Sequence, residues 1–161
     1  MIGQICVDRN ATEVFGNLSQ RQCISPDRPY LVTESYTSAR VDHSIKGSKI
    51  GILGMAYKKD VDDHRESSSF KLMELLLDRG AEVTYCDPHV PSIQQKRHYD
   101  LSPMESQPTT PAYWQSLDCA LISTDHTLFD WDQIVENSKL VVDTRNATKN
   151  VSKNRERIWK A

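Results

Sequence analysis

Four short polar stretches carry whatever chemistry this chain performs. They are Tyr57, Lys58, Lys59 and Arg65; Asp87, Pro88 and His89; Thr124, Asp125 and His126; and Thr144, Arg145 and Asn146. Lysine and arginine pair with phosphate oxygens, and a tyrosine ring offers a flat apolar face, so together they suit an anionic ligand that contains a ring. The same residues also read as a self-neutralising, solvated surface, since "KKDVDDHRE" (58–66) alternates cations with carboxylates and exposed ion pairs are worth little. Which reading holds depends on whether the four stretches meet.

The segments before them are the elements that must bring them together. "KIGILGMA" (49–56) reads as a buried strand and "SSSFKLMELLLDRG" (67–80) as a helix. The serines offer that helix an N-cap, Phe70, Met73, Leu76 and Leu77 share a face, and Gly80 ends it. "AEVTYCDP" (81–88), "DCALISTDH" (118–126) and "KLVVDTRN" (139–146) read as further strands, with short helices over "PAYWQS" (111–116) and "WDQIVEN" (131–137). Residues 89–110 hold three prolines and read as a long surface loop with one short helix. The polar tail "VSKNRERIWKA" reads as a terminal helix or a frayed end. Strands alternating with helices predict an α/β fold, a Rossmann-like open, mostly parallel sheet with helices on both faces, plus an N-terminal extension. In such sheets ligands sit beyond the carboxyl ends of the strands, which is where all four polar stretches fall. A helix N-terminus at residues 67–69 adds its positive end there.

Composition narrows the partners. A chain of 161 residues with 38% hydrophobic content builds one core with an arm, not two full domains, giving a boundary between an extension (1–45) and a domain (46–161). The net charge of −2, from 20 basic and 22 acidic residues spread along the chain, argues against nucleic acid and anionic membrane surfaces. No apolar run reaches the roughly 20 residues that span a bilayer, and no signal pattern opens the chain, so a cytoplasmic location is expected. Cys6, Cys23, Cys86 and Cys119 form no C-x-x-C pair and imply neither a zinc site nor a disulfide framework. A dinucleotide fingerprint needs G-x-G-x-x-G, whereas only Gly51 and Gly54 are present, followed by Met55 and Tyr57. NAD is therefore not expected across the first turn, and a nucleotide ligand would be held by side chains.

The run "KGSKIGILGMAYKKDVDDHRESSS" resembles the start of the C-terminal, UDP-binding domain of the UDP-sugar 6-dehydrogenases, the UDP-glucose, UDP-N-acetylglucosamine and UDP-N-acetylmannosamine enzymes to which the GDP-mannose enzymes are related. The similarity continues through "LLLDRGAEVTYCDPHVP", "DCALISTDHTLF" and "LVVDTRN", covering residues 46–148. The resemblance implies that Tyr57 and Lys58 approach a UDP-sugar and that Arg145 also contacts it. It implies that Arg65 reaches toward NAD held by a neighbouring domain. Lys59, His64, His89 and His126 gain no role from it, and the histidines are read as structural or solvated. It further implies a place in nucleotide-sugar metabolism and polysaccharide biosynthesis.

The sequence also departs from the family. Residues 1–45 cannot supply the NAD-binding domain, so no cofactor is expected on this chain alone, NAD belonging to the full-length enzymes. Oxidation of an alcohol to an acid needs a hydride acceptor and a thiol to trap the aldehyde. "CISPDRPYL" (23–31) is similar to the family's catalytic-cysteine segment, with Cys23, Asp27, Tyr30 and Leu31 in place, but "SQRQ" stands where glycines precede that cysteine. Cys23 is thus a weak nucleophile candidate. Three readings stay open: a stand-alone UDP or UDP-sugar-binding domain without oxidoreductase activity of its own; one piece of a split dehydrogenase working with a separate NAD-domain chain; and an assembly domain with a vestigial pocket, dimerising through residues 1–45.

Overall fold

A computed structural model describes residues 30–31, 43–94 and 101–161. Two short strands, β1 (Tyr30–Leu31) and β2 (His43–Ser44), pair antiparallel, and the α/β unit follows. Its strands are β3 (Lys49–Leu53), β4 (Glu82–Cys86), β7 (Cys119–Ile122), β8 (Val141–Asp143) and β9 (Ile158–Lys160); its helices are α1 (Ser69–Asp78), α2 (Pro111–Ser116) and α3 (Trp131–Asn137). A small antiparallel ladder joins β5 (Ser92–Ile93) to β6 (Met104–Glu105).

The five-stranded sheet runs β4-β3-β7-β8-β9 with every pair parallel. Both faces are covered, which is why its strands are almost continuously apolar. Alternation sends Ile50, Ile52, Val83, Tyr85, Cys119, Leu121 and Val142 into one core with Phe70, Leu72, Met73 and Leu76 of α1. It sends Leu53, Cys86, Ala120, Ile122 and Val141 into the other, with Trp114, Leu117, Ile134 and Val135. Ile45, fully buried, belongs to the first core, so the packed unit includes the last residue of the expected extension.

Local chemistry explains the helix ends. Thr110 and Asp130 cap α2 and α3 by accepting from the backbone N–H groups of Tyr113 and Gln133. Gly80 closes α1 with φ +80°, a left-handed conformation that glycine adopts without cost. The serine cap differs from expectation. Ser68, at the N-cap, makes no side-chain cap bond; Ser67 Oγ accepts from Ser69 N instead, and Ser69 Oγ turns toward the sheet edge. Leu77 lies on the rim, 36% exposed, while Leu72 packs inward in its place.

The expectation for the tail is corrected, and that for residues 89–110 is sharpened. The tail is neither helix nor frayed end: after two 3-10 turns, β9 docks on β8, its alternation placing Trp159 against one core and Ile158 against the other. The segment after β4 forms no helix among its described residues; residues 95–100 lie outside them, and the β5-β6 ladder clamps the rest because Val90, Ile93 and Leu101 are buried beside α1. No helix among the described residues is long and apolar enough to cross a membrane.

Candidate functional site at the carboxyl edge of the sheet

Register aligns the strand ends. Cys86 pairs with Leu53, Leu53 with Ile122, and Ile122 with Asp143, so the residues that follow each strand emerge side by side. The chain leaves β3 for β4 on one flank and returns to β7 on the other, which opens the crevice of such folds between β3 and β7.

What fills the head of that crevice is Asp87. Its Oδ2 accepts from Met55 N at 2.6 Å and Ala56 N at 3.0 Å, the loop amides that would face a phosphate in a dinucleotide fold. Its Oδ1 accepts from His89 N and Val90 N, and His126 Nε2 lies 3.1 Å from Oδ2. Burial by itself would raise the Asp87 carboxyl, but the hydrogen bonds from His126 and from the His89, Ala56 and Met55 amides prevail and hold it at about 2. The two glycines are committed to packing as well. A Cβ on Gly51 would sit 2.5 Å from Leu117 Cδ1, and one on Gly54, at φ +86°, 2.5 Å from the Thr124 carbonyl oxygen. Close approach within the protein, rather than to a pyrophosphate, is what these glycines allow.

Beyond Ala56 the loop is tied to β7. Tyr57 N donates to the Asp63 carbonyl at 2.9 Å, closing the loop on itself. Asp60, at φ +56°, accepts from Thr127 N and Thr127 Oγ1, and these bonds lower its carboxyl. Asp60 N donates to His126 Nδ1 at 2.9 Å. Since Nδ1 accepts there, His126 is held as the neutral tautomer that donates from Nε2 to Asp87. Thr124 Oγ1 reaches the Ala56 carbonyl, while Ser69 Oγ bridges the Gly54 carbonyl and Ser123 Oγ. His89 packs its ring against His126 at 4.8 Å between centroids.

The expected ligand residues separate into two groups. Lys59 lies 3.8 Å from Asp125, and Arg65 is chelated by Asp63 through Nε and Nη2, which drives the Asp63 carboxyl well down. Arg65 is also 80% exposed. Lys58 and Arg145 have no carboxylate partner among the described residues. Lys58 Nζ lies 4.9 Å from the centre of the Tyr57 ring. Arg145 sits on a turn built by Asp143, whose oxygens accept from the N–H groups of Arg145, Ala147 and Thr148 and from Thr148 Oγ1. Burial pushes the Asp143 carboxyl up, and those bonds pull it down further. Arg145 Nε donates to the Ser123 carbonyl at 2.6 Å, so the β7 loop links its turn to the loop that carries Tyr57 and Lys58. Cys23 and the proposed dimerising arm lie outside the described residues, apart from β1, β2 and Ile45.

Sequence reasoning placed Asp87 at this edge but missed the polar frame it shares with Asp60, Ser69 and Ser123. It treated His89 and His126 singly, although both follow strand ends that a parallel sheet aligns.

Comparison with known proteins accords with this geometry. The model of the UDP-glucose/GDP-mannose dehydrogenase family, UDP binding domain, matches residues 51–150. A UDP-N-acetyl-D-mannosamine dehydrogenase of Methanococcus maripaludis is 32% identical over 131 residues, 76% of this chain and 28% of the relative. A UDP-glucose 6-dehydrogenase of Rickettsia bellii is 30% identical over 130 residues, 76% of this chain and 29% of the relative. The structure of a UDP-glucose dehydrogenase from Pyrobaculum islandicum superposes with TM-score 0.51 at 30% identity, over 72% of this chain and 25% of that one. The chain thus spans under a third of the length of these relatives. With the parallel sheet, the ordered strand ends and the match across them, the chain belongs to the UDP-glucose/GDP-mannose dehydrogenase family, through that family's UDP-binding domain.

Proposed function

We infer that the carboxyl edge of this sheet binds UDP or a UDP-sugar, with Tyr57 against the ligand and Lys58 and Arg145 on its polar groups. One observation carries the reading. Of the four cations expected at this edge, Lys59 and Arg65 are neutralised within the protein, whereas Lys58 and Arg145 have no carboxylate partner among the described residues. A cation left without an anion beside a crevice is worth most when a ligand supplies the negative charge.

Hydride transfer is a different matter. Asp87 already occupies the loop amides that a dinucleotide pyrophosphate would need, which supports the view that NAD belongs to another unit of the working enzyme. On that view this domain supplies the UDP-sugar half of a site and does not oxidise by itself. Arg65, 80% exposed in its side chain, is the group that would meet that unit once it exchanges Asp63 for a phosphate.

Calorimetric or thermal-shift titration with UDP, UDP-sugars and NAD tests this. UDP at 100 times its dissociation constant adds about 2.7 kcal/mol of stability, and NAD adds none. Lys58→Ala and Arg145→Ala each weaken UDP binding by roughly tenfold or more, the loss expected for a charge-assisted hydrogen bond. A UDP titration with no effect, or one unchanged in both variants, overturns the assignment.

A further inference from the structure

We propose that Asp60, His89 and His126 form a binding site for one divalent transition-metal ion of the zinc or cobalt class. Each offers one ligand atom, and the three atoms lie within 4.8 Å of one another. Asp60 Oδ1 is 3.8 Å from His89 Nε2 and 3.8 Å from His126 Nδ1. Ligands at about 2.1 Å around a tetrahedral ion are roughly 3.4 Å apart, so two of the three edges are already close to that spacing, and the ion enters once the Asp60 amide has drawn back from His126 Nδ1.

Three features go beyond proximity. First, His126 is already the tautomer that binds metal: Nε2 donates to the Asp87 carboxylate, and Nδ1 presents its lone pair on the side of Asp60. A carboxylate behind an imidazole orients the ring and raises its basicity, the usual outer partner of a ligating histidine. Second, the Asp60 carboxylate has its own outer partner in Thr127, whose N–H and hydroxyl fix it. Among the described residues Oδ1 accepts only the Thr127 amide and keeps a lone pair for an ion. Third, His89 Nε2 is buried without a hydrogen-bond partner in the structure, so an acceptor or an ion is what this atom lacks.

One bond must exchange. Asp60 N donates to His126 Nδ1 in the present structure, so binding requires the Asp60 main chain to move out of the ion's path, the ion taking that lone pair and the freed N–H, on an exposed residue, bonding to water. Two imidazoles and one carboxylate are borderline ligands that favour zinc, cobalt or nickel over magnesium or calcium. With three protein ligands, one position stays open to water or an anion. Since Asp60 lies two residues beyond Lys58, an ion here also pins the loop that carries Tyr57 and Lys58.

Chelator-stripped protein titrated with cobalt(II) chloride, followed by visible absorption, tests the proposal. One cobalt per chain is expected, with a ligand-field band of nitrogen and oxygen coordination. Affinity should fall at least tenfold in His89→Ala and in Asp60→Asn and stay unchanged in His64→Ala. His126 is fully buried and is left intact. Proton NMR of the wild-type protein keeps the test decisive if a variant fails to fold: cobalt must perturb the imidazole signals of His89 and His126 more strongly than that of His64. The proposal is overturned by no binding up to millimolar cobalt, by equal affinity in both variants, or by a sulfur-to-cobalt charge-transfer band that moves the ion to a cysteine. Parallel UDP titrations separate this outcome from the nucleotide reading, which does not require the ion.

Discussion

Replacing Asp87 with asparagine tests the frame that holds the site. The carboxylate is 3% exposed and accepts four backbone N–H groups as well as the His126 ring. Its folded value of about 2 lies below the ordinary 3.8. That depression is roughly two pK units, which at 1.36 kcal/mol per unit makes the ionised form worth on the order of 2 kcal/mol to stability. The sign follows from the direction of the shift. A depressed carboxyl contributes its full stabilisation above the unfolded value near 3.8 and loses it as pH falls toward 2. Asparagine cannot ionise, and its NH2 faces donors, so the variant also leaves buried groups unpaired, at about 1–3 kcal/mol each. Urea unfolding followed by far-UV circular dichroism, for both proteins at pH 5 and pH 3, reads the difference. At pH 5 the asparagine variant should be about 3–5 kcal/mol less stable, as when one partner of a buried pair is removed. By pH 3 the gap should shrink by about 1 kcal/mol, since roughly half of the ionisation contribution is then lost. A gap below about 1 kcal/mol, or one that does not change with pH, refutes the argument that Asp87 holds the loop as an anion.

The structure makes further claims that are open to measurement. Gly54→Ala combines a left-handed φ with a Cβ 2.5 Å from the Thr124 carbonyl oxygen; it should cost more than about 2 kcal/mol in chemical denaturation, and a smaller loss would mean that the β3 and β7 loops can part. Burial pushes the thiols of Cys86 and Cys119 up to about 12; neither should be alkylated by iodoacetamide in the native state at pH 8, as mass spectrometry of peptides would show, and rapid labelling of either refutes the packing. Lys58→Ala and Arg145→Ala, described above, remain the direct probes of UDP.

Much of the α/β unit was legible because its signals are local. Apolar runs such as "KIGIL" and "CALI" are strands buried on both faces, and Gly80 marks a helix end through a bond to a residue only a few positions away. The tail was misread because β9 has only three residues, and its strand character comes from the neighbour it pairs with. Leu77 was misplaced for a related reason: helical spacing gives a face but not the width of the surface that covers it. Tyr57, Lys58 and Arg145 were singled out from their position after strand ends and from the family likeness, and the structure adds that Lys58 and Arg145 lack carboxylate partners among the described residues while Lys59 and Arg65 have them.

By itself the sequence determined the alternation of strands and helices, the parallel sheet they imply, and the absence of a glycine fingerprint after the first strand. Those features depend on side-chain period and backbone conformation within a few residues. Only the tertiary structure decided what stands in place of the fingerprint. The Asp87 carboxylate reaches amides 31 and 32 residues away, and the His126 ring joins it to Asp60 across 39 and 66 residues. Such contacts leave no local period in the chain, because they arise from the crossing of β3, β4 and β7 in one sheet.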